Sequence, residues 1–115
     1  MTIPQDSRTC IDLHCHSTAS DGALSPEALI ARAVEQGVSH LALTDHDTIA
    51  GLEVARGAAS GSGLSLINGV ELSCVWRSHT IHVVGLDFDE RDPAFLAALE
   101  RQKENSWQRA RMIAD

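Results

Sequence analysis

Ile11-Asp12-Leu13-His14-Cys15-His16-Ser17-Thr18-Ala19-Ser20-Asp21-Gly22 is the stretch on which the reading of the fold turns. An apolar start running into a polar, glycine-ended segment is the pattern of a strand that delivers chemistry at its end. Alternate side chains of a strand share a face, so His14 and His16 are expected to point one way, with Asp12 beside them. Leu13 and Cys15 should point the other way. Two converging imidazoles suit a divalent cation such as zinc or manganese, which takes neutral imidazole nitrogen together with carboxylate oxygen. Asp21, at the end of the polar loop, is positioned to supply that oxygen. His-x-His alone is a weak motif, and the rest of the chain has to supply partners.

Outward from this strand, residues 1–8 read as a short mobile leader and residues 9–115 as one domain. The first strand is expected over about 9–16. Ser25-Pro26-Glu27 marks a helix start, with a serine N-cap, proline at the first helical position and an acid in the first turn. Leu29, Ile30, Ala33 and Val34 follow at helical spacing, and Gly37 stops the helix. His40 to Thr44 reads as a second buried strand, ending in Asp45-His46-Asp47-Thr48. A second helix over Ile49 to Ala59 turns Leu52, Ala55, Ala58 and Ala59 inward. Leu64 to Val70 is a third strand leading into Glu71, Cys74 to Ser78 a turn, and Thr80 to Leu86 a β-branched strand containing His82. Asp92-Pro93 repeats the helix-start signal, and Phe95, Leu96, Leu99, Trp107, Ala110 and Ile113 continue at helical spacing. Strands alternating with helices argue for βαβ units in a parallel sheet or barrel, a class whose active sites lie at the strand C-terminal ends. A closed barrel of this type takes about 250 residues. These 115 residues are therefore expected to be the N-terminal portion of a longer protein.

Composition narrows the function classes. A hydrophobic content of 43% and a charged content of 22% are those of a folded globular domain, and 3% aromatics demand an aliphatic core. A net charge of −7 leaves no basic face for duplex DNA. The three cysteines lack C-x-x-C spacing, and neither a signal peptide nor an apolar run of membrane-spanning length is present. The expectation is a cytoplasmic protein with reduced thiols.

The strand ends and interiors offer His14, His16, Asp21, His46, Glu71 and His82. Several imidazoles with two carboxylates match sites that hold two or more divalent ions. A carboxylate bridges such ions through its two oxygens, and Glu71 is the natural bridge. Gly69, just before it, allows close backbone packing. His40 and His79 read as surface or capping histidines. Asp12 is either an acceptor that orients an imidazole or a strand cap. Asp45 and Asp47 read as loop hydrogen-bonders or helix caps rather than catalytic groups, and Cys15 as buried packing. Trp76 is open between a surface aromatic and a base-stacking platform. Arg109 is open between a solvated helix residue and a bidentate phosphate ligand.

Asp12-Leu13-His14-Cys15-His16-Ser17 with Ser20-Asp21-Gly22, then Leu43-Thr44-Asp45-His46-Asp47, Gly69-Val70-Glu71 and Ile81-His82-Val83-Val84-Gly85 together resemble the polymerase and histidinol phosphatase (PHP) family. Four ordered motifs are far more specific than any one. Asn68 to Ser73, Trp76 and the Ile81-to-Leu86 strand look most like its bacterial nucleoside-3′,5′-bisphosphate phosphatases that also act as 5′-to-3′ exoribonucleases. The resemblance implies an α/β fold, the N-terminal portion of a distorted seven-stranded β/α barrel, with a site for three metal ions. Manganese is favoured, with zinc, iron or magnesium as alternatives. By position, His14, His16 and Glu71 would hold one ion, Glu71 and His82 a second, and Asp21 and His46 a third. In the family, further ligands come from the second half of a longer chain, and those motifs are absent from these 115 residues.

The expected activity is metal-assisted phosphoester hydrolysis of a nucleotide or short RNA, without a nucleophilic side chain and falling at acid pH as imidazoles protonate. Catalysis would run through metal held by Glu71, His14 and His16. The competing expectations are another PHP activity, such as histidinol-phosphate phosphatase or polymerase-associated exonuclease, and a non-catalytic, metal-stabilised scaffold.

Overall fold

The computed structural model describes residues 9–114, those from 109 onward by backbone alone. The expected leader and the side chain of Arg109 lie outside the described residues. The elements are β1 (Ile11–Cys15), α1 (Pro26–Glu35), β2 (His40–Leu43), α2 (Leu52–Ala59), β3 (Ser65–Trp76), β4 (His79–Leu86) and α3 (Pro93–Ala114). The architecture is mixed α/β. One four-stranded sheet runs in the order β1-β2-β3-β4. β1, β2 and β3 are parallel, and β4 returns antiparallel to β3.

Local signals start α1 and α3 where expected, at Pro26 and Pro93. The Ser25 side chain accepts a hydrogen bond from Ala28 N at 3.2 Å, with Pro26 opening α1. The α1 and α2 helices then bury Ile30, Ala33, Leu52, Ala55 and Ala59 against Leu41, Leu43 and Leu64. Ile30, Leu41, Leu43 and Leu52 are each no more than 2% exposed. Full burial of such a side chain contributes about 1.5–3 kcal/mol, so this aliphatic cluster fastens the helices to the sheet. Ala58 is exposed, contrary to the sequence expectation, because the eight-residue α2 turns a narrow face inward through 52, 55 and 59. Residues 49–51 form a turn ahead of the helix, with Leu52 N donating to Ile49 O. The α3 helix is held by Phe88 stacked on Phe95 at 4.4 Å and by the burial of Leu99.

Two strand expectations are corrected. Cys74 to Trp76 is strand, because β4 pairs with β3 without interruption from Gly69 opposite Leu86 to Trp76 opposite His79. The turn is only Arg77-Ser78, whose φ values of 48° and 69° match a two-residue hairpin loop usually built from Asn-Gly. That loop is too short for a parallel crossover, so β4 is a hairpin partner rather than a further βαβ unit.

The second correction concerns β1. Asp12 pairs with Leu41 but Cys15 pairs with Leu43, an irregularity that places Leu13 and His14 opposite Ala42. Such a bulge breaks the two-residue alternation. Asp12 therefore lines a groove beside α1 together with Cys15, Leu29 and Leu41, on the side away from the imidazoles.

Candidate metal centre

Backbone hydrogen bonds carry the site residues to one place. Thr44 N and Oγ1 both donate to Cys15 O, at 2.8 and 3.1 Å, clamping the end of β1 to the end of β2. Glu71 N donates to Asp45 O at 3.0 Å and Asp47 N to Glu71 O at 2.9 Å, so His46 rides beside Glu71 as an extension of the sheet. Gly69 makes this approach feasible, since a Cβ there would lie 2.7 Å from Leu43 O and from Thr44 Cγ2. Gly22 closes the loop after β1, where a Cβ would fall 2.2 Å from His16 O.

The six residues singled out in the sequence all meet here. His14 Nε2 makes a short contact with Glu71 Oε1 and lies 3.1 Å from His16 Nε2. His16 Nε2 is 3.2 Å from the same oxygen. On the other side of Glu71, Oε2 lies 3.3 Å from His82 Nδ1 and 3.5 Å from His46 Nδ1. Asp21 spans the remaining gap, with Oδ1 3.1 Å from His16 Nδ1 and Oδ2 3.3 Å from His46 Nε2. Among the described residues, three overlapping groups bring their ligand atoms within 4.8 Å of one another: His14, His16 and Glu71; His16, Asp21 and His46; His46, Glu71 and His82.

The donor chemistry of this cluster fits divalent ions. Imidazole nitrogens face one another across distances where at most one proton can sit between them, so lone pairs are left pointing into the shared space. His16 Nδ1 is buried and makes no hydrogen bond despite its nearness to Asp21. A buried nitrogen without a partner is costly unless something else meets it. Glu71 is 4% exposed. Burial alone would raise its carboxyl, but the His14 hydrogen bond and the charges of His46, His14 and His16 outweigh burial and hold it below its ordinary value. It is thereby kept an anionic, two-oxygen donor.

The surrounding residues settle the other expectations. Asp12 Oδ1 accepts from the His14 backbone N at 3.1 Å and touches neither imidazole through its side chain, so it is not the group that orients them. Asp45, 2% exposed, accepts from Ser17 N at 2.6 Å, Ser17 Oγ at 2.7 Å and Ser20 Oγ at 2.7 Å. Asp47 accepts from Ser73 N at 3.0 Å and Ser106 Oγ at 3.1 Å. Both are loop hydrogen-bonders, and α2 is capped by Gly51 instead. Cys15 donates Sγ–H to Ala42 O at 3.2 Å. Burial first, then the charges of Asp12 and Asp45, push its thiol up to about 12. His40 Nδ1 meets Ser39 Oγ at 3.0 Å, and neither His40 nor His79 joins the three groups. Sequence reasoning missed Gln102, whose Nε2 donates to Ser73 O and binds α3 to the site strand. Nothing in its local pattern marks a contact 29 residues away.

A family model for the PHP domain matches residues 12–110. The chain is 54% identical over 106 residues to the 5′-3′ exoribonuclease Rnm of Escherichia coli K12. It is 48% identical over 103 residues to a 3′,5′-nucleoside bisphosphate phosphatase of Chromobacterium violaceum. Each match takes in 90% of this chain but 36% of the relative, so the chain spans little more than a third of their length. A solved structure of an amidohydrolase from Chromobacterium violaceum, with bound sulfate and no metal, superposes with a TM-score of 0.81 at 48% identity. It covers 89% of this chain and 36% of that one.

Proposed function

Since the chain belongs to the PHP-domain family, we propose that the full-length protein is a metal-dependent phosphoesterase. It releases phosphate from nucleoside 3′,5′-bisphosphates, degrades short 5′-phosphorylated RNA in the 5′-to-3′ direction, or does both. The observation that carries this reading is the sharing of Glu71 between two ligand groups, one through each carboxylate oxygen. The names of the relatives supply the substrate class. In this reading residues 9–114 contribute the first four strands of a distorted seven-stranded barrel, and later strands bring further ligands.

His14, His16 and Glu71 would hold one ion, Glu71 and His82 a second with His46 at its edge, and Asp21 and His46 a third. Manganese suits this mixture of imidazole and carboxylate, as do zinc and iron, with magnesium less at home among nitrogen donors. Bound there, divalent ions lower the pKa of water and neutralise phosphoryl oxygens. The chain's own residues hold and orient. Beside the cluster, the Ser17 hydroxyl is fully buried on Asp45 and the Cys15 thiol is held protonated and faces away, while the Ser73 hydroxyl lies 3.3 Å from His82 Nδ1. The reading is hydrolysis by water, without a covalent enzyme intermediate.

Metal analysis of the full-length protein, paired with phosphate release from adenosine 3′,5′-bisphosphate and from 5′-phosphorylated oligoribonucleotides, tests the proposal. Bound metal and chelator-sensitive release from at least one substrate are expected, and His40→Asn and His79→Asn should stay within a few-fold of wild type. A metal-free protein, or hydrolysis that survives chelation, would overturn it.

A further inference from the structure

A cavity of about 260 Å³ opens directly beside the cluster, between the loops after β1 and β2 and one face of α3. Its walls include Ser20, His46, Asp47, Lys103, Ser106 and Trp107. It is thus continuous with His46 and with the loop that carries Asp21. Trp107 and Lys103 are four residues apart on α3 and share a face. Their position relative to His46 is set by the Ser106 to Asp47 and Gln102 to Ser73 hydrogen bonds.

Trp107 is 68% exposed, although indoles are mostly buried, which leaves its flat apolar face free at the mouth of a polar site. The other tryptophan is excluded from that role. Trp76 belongs to the set of alternate residues on β3 that excludes Glu71 and Ser73, so it lies on the sheet face away from the cluster. It is also covered by the Arg77 guanidinium, 4.5 Å from the ring. Lys103 brings a cation to the same cavity, half-exposed and only loosely engaged with Glu100 at 3.3 Å. In a chain of net charge −7, an ammonium beside an exposed indole at a ligand cluster is a matched pair for a base and a phosphate.

We propose that this cavity is the nucleoside subsite of the phosphoesterase, with the base stacked on Trp107 and Lys103 facing a substrate phosphate. The inference rests on the function proposed above and adds which residues grip the part of the substrate that does not react. Stacking tolerates any base, so the subsite recognises that a base is present rather than which one.

Two measurements on the full-length protein test it. Trp107→Ala is expected to raise KM for adenosine 3′,5′-bisphosphate about tenfold, and to erase by the same factor the advantage of that substrate over base-free ribose 3,5-bisphosphate. Trp107→Phe should restore most of the loss, and Lys103→Ala should raise KM for both substrates. Separately, adenosine 5′-monophosphate should quench a fluorescence component that Trp107→Phe removes, and ribose 5-phosphate should not. Equal losses on the two substrates, an unchanged KM, or an indole that no nucleotide quenches because another part of the protein covers it, would each overturn the subsite. If the wild-type protein hydrolyses no phosphoester, the function proposed above fails, and base-dependent quenching still decides whether the subsite exists.

Discussion

Glu71 offers Oε1 to His14 and His16 and Oε2 to His46 and His82, the largest number of polar contacts that any side chain makes within the cluster among the described residues. Replacing it by glutamine keeps the shape but turns one oxygen into an amide donor and removes the charge. Glu71→Gln is expected to cut hydrolysis by more than about a hundredfold and to lower bound metal, with an unaltered circular dichroism spectrum. Wild-type turnover in that variant under saturating manganese would refute the bridging role. Cys15 is the opposite case, a group placed next to the ligands and turned away from them. Its folded-state pKa of about 12 lies above that of a free thiol. Its contribution to stability is therefore complete below the unfolded thiol pKa, about 8.5, and lost as pH rises through the folded value. Iodoacetamide at pH 8.5 is expected to modify the exposed Cys10 faster than Cys15, on the order of a hundredfold or more, as read by peptide mass mapping.

The loop between β1 and α1 is an element without regular structure, yet it is held as firmly as a helix turn. Asp45 gathers three donors from Ser17 and Ser20, and Gly22 N and Ser20 N both return to Ser17 O. The carboxylate is therefore a clasp that positions the loop, and through it Asp21. Asp45→Asn presents an amide donor where a carboxylate oxygen accepted, and is expected to cost about 2 kcal/mol in denaturant unfolding. It should also weaken manganese binding with Asp21 itself intact. Where β2 meets β3, the geometry depends on the missing Cβ of Gly69. Gly69→Ala forces a methyl to within 2.7 Å of Leu43 O. A loss of about 1–3 kcal/mol is expected from thermal unfolding, as for other overpacked sites, and an unchanged melting temperature would show that the strands part freely there.

Across the whole molecule, apolar side chains remain open at both borders of the sheet. Ile11 and Leu13 on β1 are 57% and 41% exposed, and Val83 and Ile81 on β4 are 48% and 39% exposed. Unpaired edges that carry apolar side chains invite pairing with another chain. The isolated 115-residue chain is expected to self-associate in sedimentation velocity, and to bind manganese more weakly than the full-length protein in calorimetric titration. A monodisperse monomer that binds three ions tightly would refute this. The same distinction of scale separates what could be read in advance from what could not. The sequence by itself determined where α1 and α3 begin, at Ser25-Pro26 and Asp92-Pro93, that β2 is buried, and that imidazoles and carboxylates gather at strand ends and interiors. These follow from capping chemistry, from periodicity and from the donor types of single residues, all local properties. Only the tertiary structure decided that Asp12 turns away from His14, that β3 runs on to Trp76, and that Trp107 rather than Trp76 borders the cluster. It also decided which imidazole meets which oxygen of Glu71. The first two depend on a bulge and a hairpin register, which belong to pairs of strands. The last two depend on contacts between residues dozens of positions apart, such as His14 and Glu71, where sheet twist and helix docking set the distance and no local pattern encodes it.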